Sequence, residues 1–143
     1  MTHRNYPASF EPDPDGGFVV TFRDIPEAIT QGDTREEAES MAGDALITAM
    51  DFYFEEGRLV PPPTKARRRE VLVALPLSVA AKVELLNLVV QRKERPADLA
   101  RAMGVKPQEV TRLLNLHHAT KIDTLAAAFR ALGGELELNI RFA

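Results

Sequence analysis

Apolar positions change their period twice along the chain. Near the N-terminus Tyr6, Ala8 and Phe10 alternate with other residues, and so do Phe18, Val20 and Phe22. Period-two alternation puts each trio on one face of a strand. Between them lies Glu11-Pro12-Asp13-Pro14-Asp15-Gly16-Gly17, a run of turn formers, so the two strands are expected to pair as a hairpin. Ile25-Pro26-Glu27-Ala28-Ile29-Thr30-Gln31-Gly32 reads as a bend into a short third strand. From Thr34 the period lengthens. Ala38, Met41, Ala42, Ala45, Leu46, Ala49, Phe52 and Tyr53 recur at helical spacing, and Gly57 stops the run. Thr34 and Glu37 have capping-box spacing, in which each side chain accepts from the other's backbone N–H. The expected unit is one long amphipathic helix on a small antiparallel sheet.

Val60-Pro61-Pro62-Pro63-Thr64-Lys65-Ala66-Arg67-Arg68-Arg69-Glu70 interrupts both periods. Three consecutive prolines cannot continue a helix or fill a central strand, so this is a linker or a long crossing connection. Arg67-Arg68-Arg69 reads most simply as a solvated part of it. Val71 to Leu75 is strand-like and is expected to return to the sheet. Beyond it the pattern is helical. Ser78 to Glu94 carries Val79, Val83, Leu86 and Val90 on one stripe, broadened by Leu85, Leu88 and Val89. A second helix opens at Pro96, where a missing N–H costs little, and ends at Gly104. A third runs from Pro107 to about Leu116 and a fourth from about Lys121 to Leu132. Thr120 and Asp123 have capping-box spacing at the start of the fourth, and Gly133-Gly134 stops it. Glu135 to Phe142 alternates strictly and reads as a terminal strand needing a partner, in this chain or in a second copy. The expected fold class is α+β. Residues 1–75 form a first domain, with 61–70 as the linker segment and 71–75 as the returning strand, and residues 76–143 form a second.

Length and composition fit that division. The chain has 143 residues, of which 45% are hydrophobic and 27% charged, enough for one ordinary domain or two small ones. It lacks an apolar run of about 18 residues and a hydrophobic signal core, so a cytoplasmic protein is expected. With zero cysteines there is no disulfide framework, thiolate metal site or cysteine nucleophile. The net charge of −3 conceals an asymmetry. Residues 1–60 hold 4 Lys and Arg against 13 Asp and Glu, a net of −9, whereas residues 61–143 hold 14 against 8, a net of +6. Opposite charges point to partners of opposite sign, unless the two lobes merely solubilise or attract one another.

The basic half carries the sharper motif in Pro96-Ala97-Asp98-Leu99-Ala100-Arg101-Ala102-Met103-Gly104-Val105-Lys106-Pro107-Gln108-Glu109-Val110. A helix-turn-helix needs a small residue on its first helix, a residue tolerating positive φ in the turn and an apolar anchor on its second helix. Ala100, Gly104 and Val110 stand in register for those three roles, although a plain helical hairpin shares the spacing. The recognition helix would then be Pro107 to Leu116, with Lys106, Gln108, Glu109, Thr111, Arg112 and Asn115 facing outward. Gln pairs bidentately with adenine and Arg with guanine, so Gln108 and Arg112 are the base-reading candidates. Lys106, Thr111 and Asn115 complete that DNA-binding set. Lys121, with the backbone at its helix N-terminus, is a phosphate-contact candidate. One recognition helix covers few base pairs, so a homodimer is expected, with the Ser78–Glu94 helix and the terminal strand as candidate dimer surfaces.

Other chemistries read weakly. His117 and His118 are adjacent and would diverge by about 100° on a helix, and His3 lies near the terminus, so no metal site is expected. Asp44 and Asp51 are spaced to share a helix face, yet no strand carboxylate obviously meets them to hold Mg²⁺. A nucleophile elbow, a phosphate-cradling glycine loop and a His/Glu metal motif are all lacking, so neither an enzyme nor a cofactor is expected.

The stretch from Tyr6 to Gly57, above all Gly16-Gly17-Phe18-Val19-Val20-Thr21-Phe22 and Asp24-Ile25-Pro26-Glu27-Ala28-Ile29-Thr30-Gln31-Gly32-Asp33-Thr34, resembles the HicB antitoxins of prokaryotic toxin–antitoxin systems. The segments from Leu75 to Val89 and from Gln108 to Gly133 resemble the HicB subgroup with a C-terminal helix-turn-helix, in place of the ribbon-helix-helix of another subgroup. The resemblance implies a partial ribonuclease-H-like fold for the first domain, without the full catalytic carboxylate set. It implies a small basic partner, a HicA-like mRNA interferase toxin that the antitoxin masks as a ribonuclease inhibitor, and repression of its own operon through operator DNA. Contact residues in the acidic domain do not transfer position by position. Glu11, Asp13, Asp15, Asp24 and Glu27 are the toxin-binding candidates by charge and location alone. Two other functions compete: a dimeric transcription regulator whose N-terminal module senses a ligand or mediates assembly, and a ribonuclease-H-like enzyme.

Overall fold

The computed structural model describes residues 3–143. Strands β1 (Asn5–Pro12) and β2 (Phe18–Phe22) form the expected antiparallel hairpin, with Pro12 opposite Phe18 and Ala8 opposite Phe22. Asp13 builds the turn, its carboxylate accepting from the Asp15 N–H at 2.9 Å and its carbonyl from the Gly16 N–H at 2.9 Å. Strand β3 (Ile29–Gly32) pairs antiparallel with β2. Helix α1 (Arg35–Glu55) follows, and β4 (Val71–Ala74) returns antiparallel to the free side of β1, giving the order β3-β2-β1-β4. Alternation sends Tyr6, Ala8, Val20 and Phe22 to one face, where all are buried beneath α1.

Small residues let α1 lie close to the sheet. Ala38, Ala42 and Ala49 face it together with Leu46, Met50 and Tyr53. A Cβ at Gly32 would sit 2.5 Å from the Ala38 backbone nitrogen, so the run of β3 into α1 requires glycine there. Met41 and Phe52, expected inward, are 41% and 53% exposed, and Met50 fills the core instead. The buried positions define a stripe centred between Ala49 and Tyr53, which leaves Met41 and Phe52 on an uncovered flank. The cap also differs from a reciprocal box. Thr34 Oγ1 accepts from the Glu37 N–H at 3.1 Å, but the Glu37 carboxylate accepts from the Asp33 N–H at 3.3 Å.

The proline segment is a pinned crossing strap. Asn87 brackets Val60, accepting from its N–H at 2.9 Å and donating to its C=O at 3.0 Å. Tyr6 Oη donates to the Pro61 C=O at 2.8 Å, and the Asp24 carboxylate accepts from the Thr64 N–H at 2.8 Å. Arg23 donates to both oxygens of Glu70, at 2.7 and 3.2 Å.

Helix α2 (Leu77–Gln91) belongs to two cores. Val79, Val83 and Leu86 pack with the sheet and α1. Leu85 and Val89 pack with α3 (Pro96–Met103), α4 (Pro107–Leu113) and α5 (Ile122–Ala131). Most of its apolar side chains are engaged within the chain, which leaves Leu77, 59% exposed, as the open apolar residue of the helix expected to supply a dimer surface. The helix also stops short of Glu94: Lys93 turns left-handed at φ +52°, and the Glu94 N–H closes back onto the Val89 C=O at 3.0 Å.

Three more expectations are corrected. Helix α4 ends at Leu113 rather than near Leu116, because Asn115 forms a side-chain turn with the His117 N–H at 2.9 Å and Leu116 is buried in the first core. The Thr120/Asp123 box does not form: the helix is capped by the Lys121 backbone, one residue later, and Thr120 Oγ1 is buried without a hydrogen-bond partner among the described residues. The segment from Glu135 to Phe142 is not a strand. No other segment of the described chain pairs with it, and Leu138, Ile140 and Phe142 are 72%, 67% and 89% exposed.

Candidate functional site

The α3–α4 unit is assembled from the three positions singled out by spacing. Ala100 and Val110 are buried at 3% and 0% exposure. Gly104 between them adopts φ +71°, with the Val105 N–H closing onto the Ala100 C=O at 3.0 Å. Pro107 then starts α4 where no backbone N–H is needed. The turn and anchor leave Lys106, Gln108, Glu109, Thr111 and Arg112 exposed on one surface, with Asn115 just beyond the helix. Thr111 Oγ1 donates to the Pro107 C=O at 3.2 Å, and Asn115 Oδ1 is occupied in its turn. The ion pairs within this helical half join Arg95 and Arg101 to Asp98. Among the described residues, Lys106, Arg112 and Lys121 have no carboxylate partner, so their cations face solvent.

The position of α4 is set by a residue that the sequence reading passed over. Lys82 on α2 is 1% exposed and has no carboxylate nearby. Its Nζ donates to the Asn115 C=O at 2.8 Å, the Arg112 C=O at 3.3 Å and the His118 C=O. Arg112 lies in the last turn of α4 and Asn115 and His118 in the loop beyond it, so the ammonium sits at the negative pole of that helix. Burial lowers the Lys82 pKa from its ordinary value. A lysine inside an apolar stripe, between Val79 and Val83, was the available signal. The loop after α4 is fastened to α1 as well, through Leu116 in the first core and His117 Nε2 at 2.5 Å from Asp51 Oδ2. His117 therefore contacts a carboxylate, and among the described residues no cluster of metal-ligating side chains forms.

The acidic candidates separate into free and engaged groups. Glu11 and Asp15 are exposed at the hairpin tip. Asp13 is committed to the turn, and Asp24 to Thr64 and Arg23. Glu27 accepts from Tyr53 Oη at 2.7 Å and from Arg58 at 3.2 Å, which together hold its carboxyl below the usual range, while burial and Glu27 push the Tyr53 phenol up to about 12. Beside Glu27 an open groove on the α1 flank is lined by Ile29, Met41, Asp44 and Phe52. Three of these are apolar and exposed, at 63%, 41% and 53%, within the half that carries the net negative charge. The helical periodicity had assigned Met41 and Phe52 to the core, so this patch was missed.

Residues 5–84 match the family described as HicB-like antitoxin of bacterial toxin–antitoxin systems. The matched region spans the sheet, α1, the strap and the first part of α2. Over 133 residues the chain is 52% identical to Antitoxin HicB of Escherichia coli strain K12, covering 93% of this chain and 96% of that protein. It is 54% identical to Antitoxin HicB 2 of Photorhabdus laumondii over 133 residues, 93% and 94% of the two chains. Antitoxin HicB of Pseudomonas fluorescens is 34% identical over 129 residues, 90% and 88% of the two chains. The relatives are antitoxins rather than enzymes, and among the described residues no helix is long and apolar enough to cross a membrane. With a family match over more than half its length and relatives aligned nearly end to end, the chain belongs to the HicB-like antitoxins of bacterial toxin–antitoxin systems.

Proposed function

We propose that this antitoxin neutralises a HicA-like mRNA interferase through its acidic half and represses its own operon through α3–α4, acting as a cytoplasmic homodimer on operator DNA. In this reading α3–α4 is a helix-turn-helix and α4 enters the major groove. The carrying observation is the left-handed Gly104 turn between buried Ala100 and Val110, with Gln108 and Arg112 exposed and Arg112 free of any carboxylate. Gln108 and Arg112 read base edges, while Lys106, Thr111, Asn115 and Lys121 serve phosphates and register. The toxin meets the exposed Ile29, Met41 and Phe52, with Asp44, Glu11 and Asp15 supplying the attraction for a basic protein. Apolar contact surrounded by opposite charge gives affinity at the centre and steering at the rim.

Two assays on the full chain test this reading. DNA from upstream of its own gene should be bound more tightly than scrambled DNA, with affinity falling steeply as salt rises. Co-expression with the HicA-like toxin should restore growth. Equal affinity for both DNAs would remove the repressor role, and growth arrest despite soluble antitoxin would remove the neutralising role.

A further inference from the structure

We propose that the turn from Lys65 to Glu70, on the strap, is a second DNA contact that holds the phosphate backbone without reading bases. Lys65, Arg67, Arg68 and Arg69 place four cations within five residues, with no carboxylate among them. All four residues are exposed, and among the described residues none of them forms an ion pair. Elsewhere in the sheet half Arg23 meets Asp24 and Glu70, Arg35 meets Glu39, and Arg58 meets Glu27 and Glu56. The turn is thus left unneutralised in a half whose first sixty residues hold 13 Asp and Glu.

Its backbone is built rather than loose. Arg23 holds both feet of the turn, donating to the Lys65 C=O at 3.2 Å and to Glu70 Oε1 at 2.7 Å. Glu70 closes it, its N–H donating to the Arg67 C=O at 3.0 Å and its carboxylate accepting from the Arg67 N–H at 2.7 Å. The acid that follows the run is therefore occupied at the base and does not screen the tip. Arg69 adopts φ +73°, a left-handed conformation that favours glycine. Glycine or asparagine would form the same turn with less strain, so what arginine adds there is charge.

A fixed cluster of guanidinium forks fits a surface of closely spaced anions. Duplex DNA carries one phosphate charge per ~1.7 Å of its axis, and guanidinium binds phosphate bidentately. A basic protein would be repelled by the same cluster, so the turn stands apart from the face proposed for the toxin. The choice of duplex DNA rests on the operator binding in the proposed function. In that complex the turn adds affinity and salt dependence, while preference among bases stays with Gln108 and Arg112.

Fluorescence anisotropy of the full chain on scrambled duplex DNA, from about 50 to 200 mM salt, reads this contact. Arg67→Gln, Arg68→Gln and Arg69→Gln combined should lower the slope of log affinity against log salt by about 2 to 3. The ratio of operator to scrambled affinity should not change. Arg69→Gly provides a second arm, because it relaxes the left-handed turn. Its urea midpoint should not fall, while its salt slope drops by about one. An unchanged slope in the triple variant, an Arg69→Gly slope equal to wild type, or a loss seen on single-stranded RNA but not on duplex DNA would overturn the contact. A wild type with no operator preference but a slope that still depends on the turn would remove base reading by α4 and leave this contact standing.

Discussion

The sheet half and the helical half satisfy their charges in different ways. In the first, ionic groups meet one another near the surface: Arg23 with Glu70, Arg58 with Glu27 and Glu56, and Arg35 with Glu39. The second has exposed pairs of this kind at Asp98, but it also sends one cation inside to meet only carbonyls, while Lys106 and Arg112 stay without a carboxylate partner among the described residues. Burying a cation costs free energy that its three carbonyl partners offset, so removing the lysine alone leaves those carbonyls without a charged donor. The lysine also fixes where α4 ends relative to α2. The helical half thus places one short helix with a buried cation, whereas the sheet half stands on its own ladder of strands and a long helix. Both depend on α2, which contributes a face to each core.

The largest expected effect tests that dependence. Leu85 is fully buried on the second-core side of α2, and Leu85→Ala should cost about 2–5 kcal/mol. The chain has no tryptophan and its two tyrosines, Tyr6 and Tyr53, both lie in the sheet half. In urea the tyrosine signal and the helical circular-dichroism signal should shift together if α2 joins the cores. Two separated transitions would show that the halves unfold independently.

A smaller loss is expected from Lys82→Met, about 2–4 kcal/mol, since three carbonyls lose a charged donor inside the protein. Operator affinity should fall more than toxin protection, because the carbonyls belong to the end of α4 and its loop. Equal loss of both would contradict the assignment of Lys82 to the placement of α4.

These two residues also mark what the sequence made legible. The hairpin, the returning strand after the prolines and the Ala100–Gly104–Val110 turn were readable because each rests on local periodicity or on turn residues. Lys82 was not, since a lysine on a helix is ordinarily solvated and its three acceptors are at least thirty residues away. Met41 and Phe52 misled for the complementary reason: they keep helical spacing, but the narrow sheet does not reach them. Thr120 and Asp123 have the right spacing for a cap, yet the helix begins one residue later than that spacing assumes. Of the acidic candidates, charge alone could not separate free Glu11 and Asp15 from Asp24, which a strap forty residues away occupies.

On DNA the effects are smaller and should differ in kind. Arg112→Ala should cost about 1–3 kcal/mol on operator and relax preference at particular bases. Lys121→Ala should weaken operator and scrambled DNA alike, and lower the salt slope by about one. Fluorescence anisotropy across several salt concentrations separates the two behaviours.

The smallest effect concerns the strap. Arg23 beside Glu70, with the Arg67 N–H, holds the Glu70 carboxyl below the usual 4.5. A carboxyl lowered in the folded state adds stability above pH 4.5 and loses that contribution as pH falls through its lowered value. Urea midpoints of wild type and Glu70→Gln should therefore differ near neutrality and converge in acid. A difference that grows in acid would contradict the pairing.

The central claim is that one chain carries two separable interactions, toxin on the acidic half and operator on α4. It is tested most directly in a strain with an inducible HicA-like toxin and a reporter under the antitoxin's own promoter. The full chain carrying Gln108→Ala and Arg112→Ala is expressed there, with its solubility checked. The reporter should be derepressed while the cells remain protected from the toxin. A reporter that stays repressed, or protection lost together with repression in soluble protein, would contradict the account.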